Sequence, residues 1–333
     1  MEKTKIGIIG LGSIAQLVHL PNLLKMENVE ITSVAEVRKS RLNTIADKFN
    51  IKERYSDYKE MLQKSDIEAV IITTPTASHK EIAIDALKAK KGVLVEKPLA
   101  RSYEEAKHIV GYAKRNKKPL MVGMNLRFRP DAMMLRSILS TKEIGKPFYI
   151  KCGWIRRPSS SEKWFMKKEQ SGGGVIVDLG ILILDLALWL LDFPKVDSVS
   201  TRNFMQNSKN VEDTSISFLK LKDSTVINLE ASWSLPVEQD HFYLNIYSEK
   251  GYASLYPLNI NKKVGEQTIE LIPRQKENSL NLFKKSYQNE LKSFIGIVKK
   301  LNPMVSSGEE ALNRLKIMEA MYQSSKENKE IKV

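Results

Sequence analysis

Cysteine is almost missing from this sequence of 333 residues: Cys152 stands alone. A single thiol excludes an intrachain disulfide and a cysteine-based zinc centre, and it suits a reducing compartment. Histidine is nearly as scarce, with His19, His79, His108 and His241 as the full set, and no metal site is expected. A secretory leader is also lacking at the amino terminus. Met1-Glu2-Lys3-Thr4 runs straight into an apolar strand, without the basic, apolar and small-residue succession of a signal peptide, so a cytoplasmic protein is expected. Long apolar runs are absent except for Val175 to Leu191. That stretch carries Asp178 and Asp185 and falls short of the ~20 apolar residues a membrane span needs, so it reads as a buried helix and no membrane contact is expected. Internal repeats at a solenoid period are missing too.

Charge of one sign is in excess, at +14. The cations are scattered, however, in Lys88, Lys90 and Lys91, in Lys114, Lys117 and Lys118, and in Lys299 and Lys300, mostly at predicted helix ends where the helix dipole favours them. No basic stripe is interleaved with aromatic residues, so the composition argues against a nucleic-acid partner.

What is present is alternation. From residue 5 to about 123, apolar strands (Ile6-Ile9, Glu30-Ala35, Ile67-Thr73, Val93-Val95, Leu120-Val122) alternate with helical patterns at Ser13-Lys25, Arg41-Phe49, His79-Ala89 and Tyr103-Arg115. This is the βαβ rhythm of a parallel sheet covered on both faces. After Gly123 the rhythm changes. A helix at Asp131-Leu139 and a strand at Phe148-Trp154 precede a stretch from Arg156 to Gly174 with the composition of a mobile loop. Segments of two-residue period follow at Ser198-Asn203, Thr214-Leu221, Thr225-Ser234, Phe242-Ser248 and Thr268-Ile272, which predict a mostly antiparallel sheet. Helices at Leu280-Lys300 and Glu309-Lys326 close the chain, the second capped by serine at Ser306-Ser307-Gly308. The fold class is therefore α/β, with a dinucleotide-binding domain over 1-123 and a second α/β domain on a large, open, mostly antiparallel sheet over 124-333.

Gly10-x-Gly12-x-x-Ala15 directly follows the first strand and opens a helix. In that context the pattern reads as a Rossmann pyrophosphate cradle. Gly10 permits the tight turn and Gly12 admits the phosphates to the backbone amides. Ser13 and Ile14 begin the helix, and Ala15 lets helix and strand approach. Glu36, at the end of the second strand, stands where a ribose-binding acid is expected; its carboxylate accepts from the 2′ and 3′ hydroxyls and repels a 2′-phosphate, which favours NAD. Arg38, two residues on, leaves NADP open.

Glu96-Lys97-Pro98 after Gly92-Val93-Leu94-Val95, together with Thr73-Thr74-Pro75-Thr76-Ala77-Ser78-His79, Asn125-x-Arg127 and Gly172-Gly173-Gly174-x-x-x-Asp178-x-Gly180, resembles the Gfo/Idh/MocA family of NAD(P)-dependent sugar-type oxidoreductases over nearly the whole chain. The resemblance implies hydride transfer to or from a sugar, polyol or related carbonyl compound. It implies cofactor contacts at Thr74, Pro75, His79, Glu96, Lys97 and Asn125, and substrate contacts at Lys97, Arg127, Trp164, Asp178 and Leu182. It also implies a homodimer or homotetramer formed through the second-domain sheet. Lys97 is the expected catalytic group, since an ammonium beside the reacting carbon donates a proton to a developing alkoxide, and burial would lower its pKa toward useful values. Asp178 is its expected companion.

The departure from the family pattern is at residue 182. Four residues after the aspartate the family carries a histidine that acts as general acid/base, and here that residue is leucine. His19, His79 and His108 read as packing residues, and His241 opens a second-domain strand. Three outcomes stay open: Lys97 handles the proton alone or with Asp178 or Tyr243; the substrate supplies its own acid or base; or the chain binds cofactor and ligand without turnover, as a sensor or regulator. Arg129, Arg156 and Arg157 are further candidates for recognising oxyanions, whereas Glu212, Asp213 and Trp233 read as scaffold.

Overall fold

The computed structural model describes residues 2–160, 162–271 and 277–333. The chain divides into two compact units, Met1–Met124 with Tyr287–Leu312, and Asn125–Ser286 with Asn313–Val333. The expected boundary near 123 falls within a residue of the first break, and Tyr287–Leu312 packs with the first unit. The reason is packing on the parallel sheet. Val298 comes up against Gly92, Ser306 donates its hydroxyl to Val122 O, and Lys299 bonds Glu68 at 3.0 Å.

The first unit holds β1 (Thr4–Ile9), β2 (Val29–Ala35), β3 (Glu53–Tyr55), β4 (Ala69–Ile72), β5 (Gly92–Val95) and β6 (Leu120–Val122), in the order β3-β2-β1-β4-β5-β6 and all parallel. Ile6, Ile8, Val70, Ile71, Val93 and Val95 are fully buried, as strands covered on both faces require. The chain order reverses between β1 and β4, and ligands of such sheets bind at the strand ends beside that switch point. Helices Lys39–Lys48, Thr76–Lys88 and Tyr103–Asn116 fall close to their predicted places, and Tyr58–Lys64 forms a short helix between β3 and β4. The short strand β3 carries too little apolar sequence to signal itself.

The second unit holds β7 (Pro147–Ile155), β8 (Val196–Phe204), β9 (Thr214–Leu221), β10 (Val226–Ser232), β11 (His241–Ser248), β12 (Gly251–Leu255), β13 (Asn259–Val264), β14 (Gln267–Leu271) and β15 (Ile331–Lys332). Among the described residues they form one sheet in the order β14-β13-β12-β11-β7-β10-β9-β8-β15. Every pairing is antiparallel except β7 with β10, so the sheet is mostly antiparallel, as expected, but mixed. Residue 272, the last of the predicted strand at 268–272, lies outside the described residues. One face of the sheet carries Ile150, Cys152, Leu219, Ile227, Leu229, Leu244 and Ile246, all buried. The other carries Tyr149, Lys151, Ile216, Phe218, Tyr243 and Tyr247, whose alternation with the first set places them on the opposite side.

The apolar stretch that resembled a membrane span forms a π-turn, Ile176–Gly180, followed by helix Ile181–Leu190. With the preceding short helix it makes one element, Lys168–Leu190, long and apolar enough to cross a membrane, yet 94% of its most apolar window is buried inside the protein. The expected mobile loop at 156–174 contains structure of its own, a 3₁₀ turn at Lys163–Met166 and a helical turn at Lys168–Ser171; residue 161 lies outside the described residues.

Asp185 is a carboxylate inside this apolar helix, and three hydrogen bonds account for it. Arg127 donates from Nε to Oδ2 at 2.7 Å and from Nη2 to Oδ1 at 2.5 Å, and Arg314 Nη1 donates to Oδ1 at 2.6 Å. Breaking a buried ion pair by removing one partner leaves uncompensated charge. Asp185→Asn is therefore expected to destabilise the protein by about 3–5 kcal/mol. The check is urea unfolding, where the midpoint should fall at unchanged slope; a midpoint within error of the wild type would sink the assignment.

Candidate functional site

In the first unit the candidate site starts at the end of β1. Gly10 has φ +90°, and a Cβ there would sit 2.8 Å from Thr74 Cγ2 and 2.9 Å from Thr74 N, so only glycine makes this turn. At Gly12 a Cβ would meet nothing nearer than Thr73 O, 4.0 Å away. The space in front of Gly12 is open, which is what a pyrophosphate against backbone amides requires. Thr73 Oγ1 donates to Gly10 O at 2.6 Å and Gln16 Nε2 to Leu11 O at 2.7 Å, holding the loop from both sides. Ser13 is exposed at the helix start, Ile14 is half-buried, and Ala15 is buried against the sheet. The helix that follows relaxes into a π-turn over Ala15–His19, a wide turn that recurs at functional sites.

Glu36 ends β2 beneath this loop. Its Oε2 accepts from Leu11 N at 2.9 Å and its Oε1 from Arg38 N at 3.0 Å, while Arg41 lies 3.8 Å away. Each oxygen has a lone pair left for a ribose hydroxyl, and the carboxylate is fixed before any ligand arrives. Arg38 is exposed.

His79 and Lys97 are tied to the loops after β4 and β5. The buried His79 ring places Nε2 at 2.8 Å from Thr74 O and Nδ1 at 2.9 Å from Pro98 O. It therefore links the Thr74-Pro75 loop to the residue after Lys97. Burial pushes its pKa below the ordinary histidine value, against the pull of the two carbonyls, and a neutral ring donates to only one of them at a time. Lys97 is half-buried. Beside it, Glu96 Oε1 lies 2.7 Å from Nε2 of the fully buried His19. The Glu96 carboxyl is raised by burial, but the His19 hydrogen bond and the Lys97 charge outweigh this and hold it below the usual range. His19 Nδ1 has no hydrogen-bond partner, which places the proton on Nε2, facing Glu96. The sequence marked His19 as packing; nothing in the spacing of residues 19 and 96 announces their meeting.

In the second unit a separate cluster is built on the π-turn Ile176–Gly180. Its N-terminal amides are capped by Glu212, whose Oε1 accepts from Gly174 N at 2.9 Å, Ile176 N at 3.1 Å and Tyr322 Oη at 2.7 Å. A Cβ on Gly174 would collide with the Glu212 backbone, so this glycine serves the close approach. Burial pushes the Glu212 carboxyl up. The adjacent Asp213 is held low despite burial by the backbone amides of residues 206–208 and the Ser234 hydroxyl. Both are scaffold, as expected.

Asp178, 2% exposed, lies in the π-turn and accepts at Oδ2 from Ser159 N and from Trp233 Nε1, both at 3.1 Å. Phe165 tilts against Trp233 at 5.7 Å between centroids, and Trp164 meets Phe165 edge-on at 5.3 Å. Leu182, one turn beyond Asp178, is buried. Asp178, Trp164 and an aromatic surface thus gather in one place. Ser159, Phe165 and Trp233 are the members that sequence spacing could not assign.

Several expected contacts fall elsewhere. Arg127 is corrected from a substrate ligand to a structural cation, because its fork is engaged by Asp185 and its plane covers the Phe193 ring at 4.7 Å. Asn125, the first residue of the second unit, gives its amide N–H to Ser286 Oγ at 3.0 Å. Arg129 is buried in a bidentate pair with Asp131. Arg156 pairs with Asp240 at 3.5 Å over Trp154. Tyr243 and His241 stand on the sheet face opposite Leu244 and Ile246, away from the buried apolar helix. His108 faces a surface groove of about 390 Å³ shared with Lys80, Asp85 and Tyr112.

With this geometry in place, family comparison gives a direct result. Residues 4–124 match the Gfo/Idh/MocA oxidoreductase model with an NAD-binding Rossmann fold, and residues 136–333 match the model of that family's C-terminal alpha/beta domain. The chain belongs to the Gfo/Idh/MocA oxidoreductase family. It is 25% identical to D-glucoside 3-dehydrogenase of Escherichia coli over 96% of this chain and 95% of the relative. It is likewise 25% identical to myo-inositol 2-dehydrogenase of Thermotoga maritima over 99% and 98%. Levoglucosan dehydrogenase, solved with NADH and L-sorbose, has the same fold, with a TM-score of 0.90 at 19% identity over 100% of this chain and 99% of that one. The Rossmann unit is thus that of an NAD-binding oxidoreductase family, and its open cradle at Gly12 fits the group.

Two outcomes test the site in the first unit. Gly10→Ala should abolish NADH binding, followed by cofactor fluorescence, because the new Cβ meets the Thr74 backbone and φ is left-handed. His79, with its folded pKa below the unfolded value, contributes stability that is complete above the ordinary histidine range and lost as the pH falls through it. The thermal midpoint should therefore drop between pH 7 and pH 5, and His79→Gln, which does not titrate, should make that drop shallower. An unchanged slope would refute the burial argument.

Proposed function

We propose that the protein is an NAD(H)-dependent oxidoreductase that reduces the carbonyl of a sugar- or polyol-derived compound, with Lys97 as proton donor. The observation that carries this reading is the setting of Lys97, at the end of β5, beside a Glu96 carboxylate fixed by His19 and followed by a Pro98 carbonyl bonded to His79. Gly10, Gly12, Ser13, Ile14, Ala15, Glu36, Thr74 and Pro75 hold the dinucleotide, which when bound supplies or accepts a hydride. Glu36 favours NAD over NADP, since a 2′-phosphate would face its carboxylate.

Lys97 Nζ–H donates to the substrate oxygen, and as the carbon is reduced it delivers its proton to the developing alkoxide. Asp178 accepts a substrate hydroxyl hydrogen, and Trp164 with Phe165 offers ring faces to the C–H surface of a sugar. Leu182 moves no proton. By microscopic reversibility the group that donates to the oxygen in reduction is the base in oxidation, so with leucine at 182 the proton step in either direction falls to Lys97. The relatives' names support the substrate class: one is a glucoside dehydrogenase and another an inositol dehydrogenase. We further propose that a second copy of the chain covers the outer face of the open sheet, where Ile216 and Phe218 are 44% and 49% exposed beside the stacked pair Tyr149 and Tyr247.

The test is turnover of NADH, and separately NADPH, against a panel of keto-sugars, inososes and 3-keto-glucosides, with the reverse reaction on the parent inositols and glucosides. Lys97→Ala should lower kcat by about 10²- to 10⁴-fold while NADH binding persists; intact turnover would overturn the assignment. NADH binding with no turnover across the panel would favour a non-catalytic sensor. For the assembly, sedimentation should show an oligomer that Phe218→Glu dissociates, and a monomeric wild type would remove that proposal.

A further inference from the structure

A buried carboxylate needs hydrogen-bond donors, and those that Asp178 has found are unusual for a group that handles substrate. Residue 182, one helical turn on, presents only carbon. The Asp178 Oδ2 atom instead accepts from Trp233 Nε1 and Ser159 N. An indole N–H only donates, and it neither takes up nor releases a proton near neutral pH. The indole is itself held on three sides. Trp233 N donates to Asp213 O at 2.7 Å just past the end of β10, Phe165 lies against its ring, and its Nε1–H is directed at the carboxylate. Asp213 in turn is locked by the amides of Asn207 and Ser208 and by the Ser234 hydroxyl. Through Trp233 the Asp178 carboxylate is thus tied to a sheet end as well as to the loop at Ser159.

We propose that Trp233 is a positioning residue for substrate binding: its indole N–H fixes the rotamer of Asp178 so that the carboxylate is a preset acceptor for a substrate hydroxyl. The proposal deepens the reading that Asp178 binds substrate and rests on it. A preset acceptor saves the ordering that a free carboxylate would undergo on binding, and its loss appears in KM more than in kcat. Phenylalanine at 233 keeps a ring against Phe165 and removes only the donor.

Trp233→Phe should raise KM about tenfold, the size expected for one hydrogen bond to a charged group, for the panel compound with the highest turnover. kcat should stay within about twofold and NADH affinity should not change. In an Asp178→Asn background the same substitution should add little, since the two act as one unit. Equal losses in both backgrounds would overturn the proposal. A substrate-free measurement decides the contact itself: the four tryptophans give four indole N–H resonances in a ¹⁵N-labelled sample, with that of Trp233 assigned by its loss in Trp233→Phe. Asp178→Asn should shift that resonance, and an unmoved one would refute the contact. If it shifts while Asp178→Asn leaves KM unchanged, the contact stands and the claim that Asp178 binds substrate falls, taking the functional role of Trp233 with it.

Discussion

The second unit is organised by the need to satisfy two carboxylates on one buried apolar helix. Asp178 and Asp185 lie seven residues apart, two turns along an element otherwise made of Ile, Leu, Val, Ala, Gly and Trp189. A carboxylate with no donor in such surroundings would cost several kcal/mol, so other segments must come to it. Arg127 and Arg314 come to Asp185 from widely separated stretches of sequence. Ser159 and Trp233 come to Asp178, bringing with them a loop and a strand end. One carboxylate therefore holds the unit together, and the other gathers a surface suited to ligand. Both are buried; the difference lies in their donors. Asp185 is met by two guanidinium groups, while Asp178 accepts from an indole N–H and a backbone amide.

In the first unit the corresponding constraint is the left-handed turn at Gly10. It allows the backbone to double back between Thr73 and Thr74 and leaves the front of Gly12 open. Glu36 braces the same turn from below through Leu11 N. The carboxylate expected to select the cofactor is thus also part of the loop that holds it, and a change at 36 disturbs both. Further along the sheet, His79 and His19 play parallel parts. Each is buried, each joins a helix to a loop at a strand end, and between them they fix the two flanks of Lys97.

The periodicity of the sequence was enough to mark most strands of both sheets, though not β3, β12, β13 or β15, together with the long buried helix and the cradle, because those depend on local pattern: apolar runs, two-residue alternation and glycine at a turn. What it could not show were the meetings across long separations. Arg127 looked like an oxyanion ligand because an arginine near a cofactor motif has no visible partner in one dimension, and Asp185, 58 residues away, carried no sign of being that partner. The π-turns at Ala15–His19 and Ile176–Gly180 were invisible as well, since the extra residue in a wide turn leaves the apolar pattern almost intact. The return of Tyr287–Leu312 to the first unit was hidden because an amphipathic helix carries no label for the sheet it will cover.

Leu182 takes on a different meaning once Asp178 is seen with its donors. Read in sequence, the leucine is a deletion: a carboxylate left without an imidazole. In the structure the carboxylate is not orphaned, because Trp233 and Ser159 occupy an oxygen that would otherwise lack a donor, and the leucine fills space that a polar side chain would have to satisfy. An imidazole beside Asp178 would bring a proton that moves; an indole brings one that stays. A site arranged in this way keeps the ability to hold a hydroxyl without a second proton carrier beside it, so on our reading proton chemistry is left to Lys97, as the ammonium when the substrate oxygen gains a proton and as the neutral amine when it loses one.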